Sequence, residues 1–215
     1  MTKQQQVNRT LNNLFMDSKN DHLKMLKGAA KSVLRPMQPA DFEEVYLSIS
    51  KQQGEALTQL IVEHDIKHMV EFGTSFGIST LYLALAALRT GGSIITTELL
   101  ESKASKAKQN FIEAGVDHLI EVWVGDASKT LSEHHQPIDL LLLDGWKNLY
   151  LRVFNLLEHN FHAKTIIYVD NADMRDTKHF LDAITRKEKY QIEYIHGGKA
   201  ALITVSGNYQ TKLKL

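Results

Sequence analysis

A chain of 215 residues with 43% apolar and 23% charged side chains has the composition of a globular protein with a sizeable core, so disordered, collagen-like and coiled-coil classes are excluded. Its 25 basic and 25 acidic side chains cancel, leaving no net field to draw in nucleic acid or an anionic membrane. Cysteine is absent, which excludes disulfides, thiolate nucleophiles and zinc-thiolate sites and leaves oxygen or imidazole as the only metal ligands.

The polar start Met1-Thr2-Lys3-Gln4-Gln5-Gln6 lacks the apolar stretch of a secretory signal, and no segment approaches the roughly 20 apolar residues of a membrane span. A cytoplasmic address is the expectation, and the glycosylation sequon Asn8-Arg9-Thr10 is then chemically idle. Residues 1–50 are helical in tone. Leu11, Leu14 and Phe15, then Leu23 and Leu26, show broken helical spacing, which predicts amphipathic helices that pack on the main body or on a second subunit. Pro36 and Pro39 interrupt the pattern, Asp41 opens another short helix, and Ser50 caps the next, whose Leu57, Leu60 and Ile61 form an inward stripe.

From His68 onward, apolar runs of strand length alternate with amphipathic segments of helix length, the signature of βα repeats. Strands are predicted over 67–72, 93–97, 119–124, 138–143, 164–169, 190–196 and 200–205, with helices over 77–89, 102–114, 126–133, 146–159 and 174–187. Ala104, Ala107, Phe111 and Ile112 are expected to line one face of the second of these helices, with Gly115 as its stop. The run Leu140-Leu141-Leu142-Leu143 implies a sheet covered on both faces, hence an α/β, Rossmann-like, doubly wound and mostly parallel sheet of seven strands. Gly197-Gly198-Lys199 is too short for a helical crossover, so the last two strands form an antiparallel hairpin at one edge.

In an open α/β sheet ligands bind beyond the carboxyl ends of the strands. The first strand runs into Glu71-Phe72-Gly73-Thr74-Ser75-Phe76-Gly77-Ile78-Ser79-Thr80, where two glycines let backbone approach a ligand and a helix N-terminus offers free N–H groups. The spacing is G-x-x-x-G and not the G-x-G-x-x-G of dinucleotide sites, and a purely structural turn is the alternative. The second strand ends at Glu98, placed to hold a ribose diol or to cap a helix. Asp126 after the third either contacts an adenine amino group or caps the helix that follows. In order, these three describe an adenosine-shaped pocket.

Asp144 ends the fourth strand and Asp170-Asn171 the fifth. Two carboxylates and an amide oxygen at adjacent strand ends suit a hard cation such as Mg²⁺, the alternative being that both acids cap helices. Lys147 lies within reach of the same ligand, as a general base or as an ordinary surface lysine, and Trp146 is either a wall for a flat substrate or a core contact. Of the ten histidines, His134, His135, His159 and His162 read as solvated or capping; His196, at the hairpin, alone faces the pocket and is given no role.

Glu71-x-Gly73-x-x-x-Gly77 with Ser79, Glu98, Asp144-Gly145-Trp146-Lys147 and Asp170-Asn171 together resemble the class I S-adenosylmethionine-dependent O-methyltransferases, specifically the metal-dependent group containing catechol O-methyltransferase, over about residues 45–205. The resemblance implies that Gly73 and Gly77 lie beneath the methionine part of S-adenosylmethionine, with Glu71, Thr74 and Ser75 in the same loop. It implies that Ser79 bonds the cofactor carboxylate, Glu98 the ribose, and that Asp126 and Ala127 flank the adenine. Asp144, Asp170 and Asn171 would hold a divalent ion, Asp144 also bordering the cofactor. Lys147 would take the proton of a small, catechol-like hydroxyl acceptor beside Trp146. Residues 1–45 would be a helical extension that covers the site or builds a homodimer, and 46–215 the methyltransferase domain. Two positions depart from that group: Gly145 stands where catechol O-methyltransferase has His, and its acid for the second catechol hydroxyl has only Tyr190 or Glu193 near its place. The rival readings are a non-catalytic S-adenosylmethionine-binding regulator and a nicotinamide-dependent oxidoreductase; the missing G-x-G-x-x-G counts against the latter.

Overall fold

The computed structural model describes residues 1–18 and 49–206, so the expectations for Leu23, Leu26, Pro36, Pro39 and Asp41 lie outside the described residues. Seven strands form one sheet: β1 His68–Phe72, β2 Ser93–Glu98, β3 Ile120–Val124, β4 Ile138–Leu143, β5 Phe161–Asp170, β6 Tyr190–Ile195 and β7 Ala200–Val205. Their order is β3-β2-β1-β4-β5-β7-β6. β1 to β5 pair in parallel, while β7 runs antiparallel to both β5 and β6. The predicted hairpin is there, with its returning strand inserted beside β5 and β6 outermost.

The helices are α1 Lys3–Asp17, α2 Lys51–Glu63, α3 Ile78–Thr90, α4 Glu101–Ala114, α5 Ala127–Thr130, α6 Tyr150–Leu157 and α7 Arg175–Thr185. Two predicted helices are shorter than their apolar pattern. The segment 126–133 is α5 followed by a 3-10 turn, and 146–159 is α6 flanked by two 3-10 turns. β5 starts three residues before the predicted 164 because Thr165 closes an irregularity in its pairing with β4: its hydroxyl accepts from His162 N–H at 2.8 Å and donates to Ile138 O at 2.6 Å. The exposed Ala163 and Lys164 hide that start from a hydropathy reading.

Alternation along β4 divides the core. Leu140 and Leu142 face α1 to α4 with Met69, Ile94 and Leu81, whereas Leu141 and Leu143 face α6 and α7 with Val70, Phe154 and Leu181. All four leucines are fully buried, worth about 1.5–3 kcal/mol of transfer free energy each, which is why the strand tolerates no polar face. α1 begins in a capping box between Thr2 and Gln5 and lays Val7, Leu11 and Leu14 onto α3 and α4. Gln6 Nε2 also donates to Glu113 O at 2.7 Å. On α4, Ala104, Ala107 and Phe111 are buried as expected and Gly115 ends the helix at φ +68°, but Ile112 is 63% exposed. At 100° per residue Ile112 falls outside the arc through Lys103, Ala107, Asn110 and Ala114 that the sheet and α1 cover.

Ser50 caps α2 as predicted, and Leu57, Leu60 and Ile61 point inward. Gly54 lets α2 approach α3, since a Cβ there would stand 2.3 Å from the Tyr82 ring. This contact brings the N-terminus of α2 over the carboxyl end of β5.

Candidate active site

The strand order reverses between β1 and β4, and the loops leaving these two strands meet at the crevice so formed. Asp144 N–H donates to Phe72 O at 3.0 Å, and Gly73 and Thr74 N–H both donate to Thr97 O. Gly73 has φ +108°, and Gly77, with φ +87°, caps α3 against the Phe111 ring, where a Cβ would stand at 2.4 Å. The glycine pair therefore answers both a backbone and a packing demand.

Glu71 is fully buried beneath this loop, its Oε2 accepting from Thr80 Oγ1 at 2.5 Å and Thr96 Oγ1 at 2.6 Å. Burial pushes its carboxyl above the usual range, opposed by the hydroxyls of Ser79, Thr80 and Thr96. The structure thus places Ser79 beside Glu71, and Thr74 against Thr96 at 2.6 Å. Ser75, at φ +49°, turns its N–H onto Glu98 Oε2 at 2.8 Å, while Leu100 N–H occupies Oε1 at 3.0 Å. Glu98 is so fixed at the end of β2 with lone pairs left over. Asp126 is exposed and its Oδ1 caps α5 through Ser128 N–H at 2.9 Å, with Ala127 buried behind it. That backbone bond, ahead of Arg152 and Lys129, draws its pKa down.

Asp144 and Asp170 come together at adjacent strand ends, within hydrogen-bond reach of each other. Burial, then the charge of Asp170, pushes Asp144 well above the ordinary carboxylate range, and burial also raises Asp170. Lys147 opposes both shifts: its Nζ lies 3.7 Å from Asp144 Oδ1 and donates to Gly145 O at 3.0 Å. Asn171 follows at φ +55°, its N–H on the Asp170 carboxylate, and Gln53 Nε2 reaches Asp170 Oδ1 at 3.0 Å. Two like charges with this little solvent favour a cation between them. Among the described residues no three acid or histidine side chains converge, so amide and water oxygens would complete such a site.

Trp146 is half-buried and packs against the Leu141 side of the core. Gly145 has no room for a side chain, because a Cβ would stand 2.6 Å from the Phe72 ring. Tyr190 lies at the opposite end of β6 from the site, its hydroxyl donating to Glu158 Oε1 at 2.8 Å, and Glu193 is exposed in mid-strand opposite Leu202. The residue at the site end of β6 is His196, following Ile195, whose register partner Ala200 also pairs with Asp170; its Nε2 is buried and has no hydrogen-bond partner among the described residues. One histidine read as solvated or capping is neither: His134 is 4% exposed against Trp123, whereas His162 stays partly exposed at the far end of the sheet, bonding Asp139 at 2.9 Å and accepting from Lys164 N–H at 3.1 Å. Sequence reading also missed Gln53, although Ser50-x-x-Gln53 is a legible capping box.

The parallel sheet with one reversed strand beside β5, the glycine loop after β1 and the acid after β2 build a cofactor crevice at the switch point, and the match to known proteins makes it that of an S-adenosylmethionine-dependent O-methyltransferase. The family model for O-methyltransferases matches residues 24–192. Catechol O-methyltransferase of Niastella koreensis is 28% identical over 180 residues, covering 78% of each chain. That of Mycobacterium tuberculosis is 32% identical over 126 residues, 58% of this chain and 57% of its own. An O-methyltransferase from Bacillus cereus in complex with SAH superposes with a TM-score of 0.67 at 22% identity, covering 84% of this chain and 97% of the other. The chain belongs to the O-methyltransferase family.

Proposed function

We propose that this methyltransferase moves a methyl group from S-adenosylmethionine to a hydroxyl of a small, catechol-like acceptor held on a divalent ion, Mg²⁺ by its donor chemistry, with Lys147 as general base. The observation that carries the reading is the buried Asp144–Asp170 pair with Lys147 Nζ 3.7 Å from Asp144 Oδ1. The catechol O-methyltransferases among its relatives support the acceptor class.

The donor set fits a hard cation: Asp144, Asp170 and Asn171 would hold it through oxygen. A bound divalent ion supplies Lewis acidity that makes an acceptor hydroxyl easier to deprotonate, and a vicinal diol suits its open positions. The sulfonium of S-adenosylmethionine supplies the methyl group. What the chain contributes is placement. The loop from Gly73 to Gly77 would carry the methionine part of the cofactor at the N-terminus of α3, and Glu98, already oriented by Ser75 and Leu100, accepts from the ribose hydroxyls. Trp146 borders the acceptor, and Lys147 takes the hydroxyl proton at Nζ when its amine lone pair is free. Displacement at carbon needs oxygen, carbon and sulfur in line, so holding both reactants in that geometry provides much of the acceleration.

The test is calorimetric titration of S-adenosylmethionine into the protein, followed by product analysis with 3,4-dihydroxybenzoate and Mg²⁺ for the native chain and Lys147→Met. Cofactor binding by both, with product from the native chain alone, is expected. Binding without any product would favour the regulator, and equal product from Lys147→Met would remove the lysine from the chemistry.

A further inference from the structure

Gln53 makes bonds in two directions from the third position of α2. Its Oε1 accepts from Ser50 N–H at 3.0 Å, and its own N–H donates to Ser50 Oγ at 3.2 Å, the two halves of a capping box. Its Nε2 donates to Asp170 Oδ1 at 3.0 Å, across 117 residues of sequence.

The first bond decides the second. Oxygen and nitrogen of a side-chain amide can exchange places by a flip, but a backbone N–H requires the oxygen, so the cap leaves only the N–H₂ end to face Asp170. Tyr168, on the same face of β5, lies beside the same amide. Asn171 N–H also bonds the Asp170 carboxylate.

From this geometry we infer that Gln53 is a positioning residue for the divalent ion: the capped helix end holds the Asp170 carboxylate in the orientation that meets Asp144. The inference rests on the metal reading of the Asp144–Asp170 pair. A carboxylate bonded on one oxygen presents the other without a rotational search, and loss of such an outer partner typically weakens metal affinity about 10-fold to 100-fold. Gln53 touches neither cofactor nor acceptor in this account, so its effect falls on ion affinity and not on the chemical step.

Two substitutions separate the bonds. Gln53→Met removes the Asp170 contact and half of the capping box, whereas Ser50→Ala removes the other half and leaves the amide on Asp170. Mn²⁺ binding is followed by calorimetry and by the loss of the free-ion electron paramagnetic resonance signal, with thermal midpoints recorded alongside. The expected result is Mn²⁺ binding about 10-fold or more weaker in Gln53→Met, within about twofold of native in Ser50→Ala, and similar midpoints in the two variants. Turnover of Gln53→Met should recover toward the native value at saturating Mg²⁺. Native-like Mn²⁺ affinity in Gln53→Met, or equal weakening in both variants, would overturn the inference while the metal reading stands. No Mn²⁺ binding by the native chain would overturn both.

Discussion

Gly73 and Gly145 meet back to back where the strand order reverses: a Cβ on Gly73 would stand 2.6 Å from the Gly145 Cα. The cofactor loop and the Asp144 loop can share the crevice because Gly73 carries no side chain there. Phe72 seals the other side of Gly145, its ring edge-on to Tyr150 at 6.2 Å.

Gly145→Ala should therefore destabilise the fold by about 1–3 kcal/mol through overpacking, and Phe72→Leu in the same chain should recover part of the loss. Urea unfolding of the single and double variants measures this. Simple additivity of the two substitutions would show that the ring and residue 145 do not compete for space.

Glu98→Ala removes the acceptor of Ser75 N–H and Leu100 N–H as well as the carboxylate proposed for the ribose. S-adenosylmethionine affinity should fall at least about 10-fold, consistent with the roughly 1.5–3 kcal/mol of a hydrogen bond to a charged group. Calorimetry decides, and an unchanged dissociation constant would move the ribose elsewhere.

The N-terminal helix is part of the core. Leu11 is 3% exposed against α3 and α4, so Leu11→Ala should cost about 2–5 kcal/mol in chemical unfolding. A cost below about 1 kcal/mol would mean that α1 adds little to the domain.

His134 gives a pH dependence of stability. Burial draws its pKa below 6.5 and outweighs the backbone hydrogen bond at Gln136, which raises it. The folded state then binds fewer protons than the unfolded one below 6.5, so this stabilisation is complete above 6.5 and is lost as pH falls toward the folded value. The melting temperature should drop on acidification from neutral pH, and His134→Phe should flatten that slope. Parallel slopes in the two proteins would exclude His134 as the source.

Strand ends were legible from sequence because turn chemistry sits there: Gly73, Glu98, Asp144 and Asp170 each follow an apolar run, and the β4 leucines announce a sheet covered on both faces. What escaped depends on contacts between distant segments. Nothing local marks Gln53 as reaching Asp170, because the α2–α3 approach at Gly54 creates that proximity. His134 sits in a polar stretch, yet the fold buries it against Trp123. Ile112 continued an apolar pattern whose arc the neighbouring elements do not cover. Thr165 extends β5 through a side-chain bond that periodicity does not register.

Metal-assisted methyl transfer by the Asp144–Asp170 pair and Lys147 is a proposal with a decisive experiment. The most direct test is the rate of methylation of 3,4-dihydroxybenzoate by the native chain as a function of free Mg²⁺, set by a chelator. A saturable rise from a negligible rate in excess chelator is expected, with the saturation lost in Asp170→Ala. Full activity in excess chelator would contradict it.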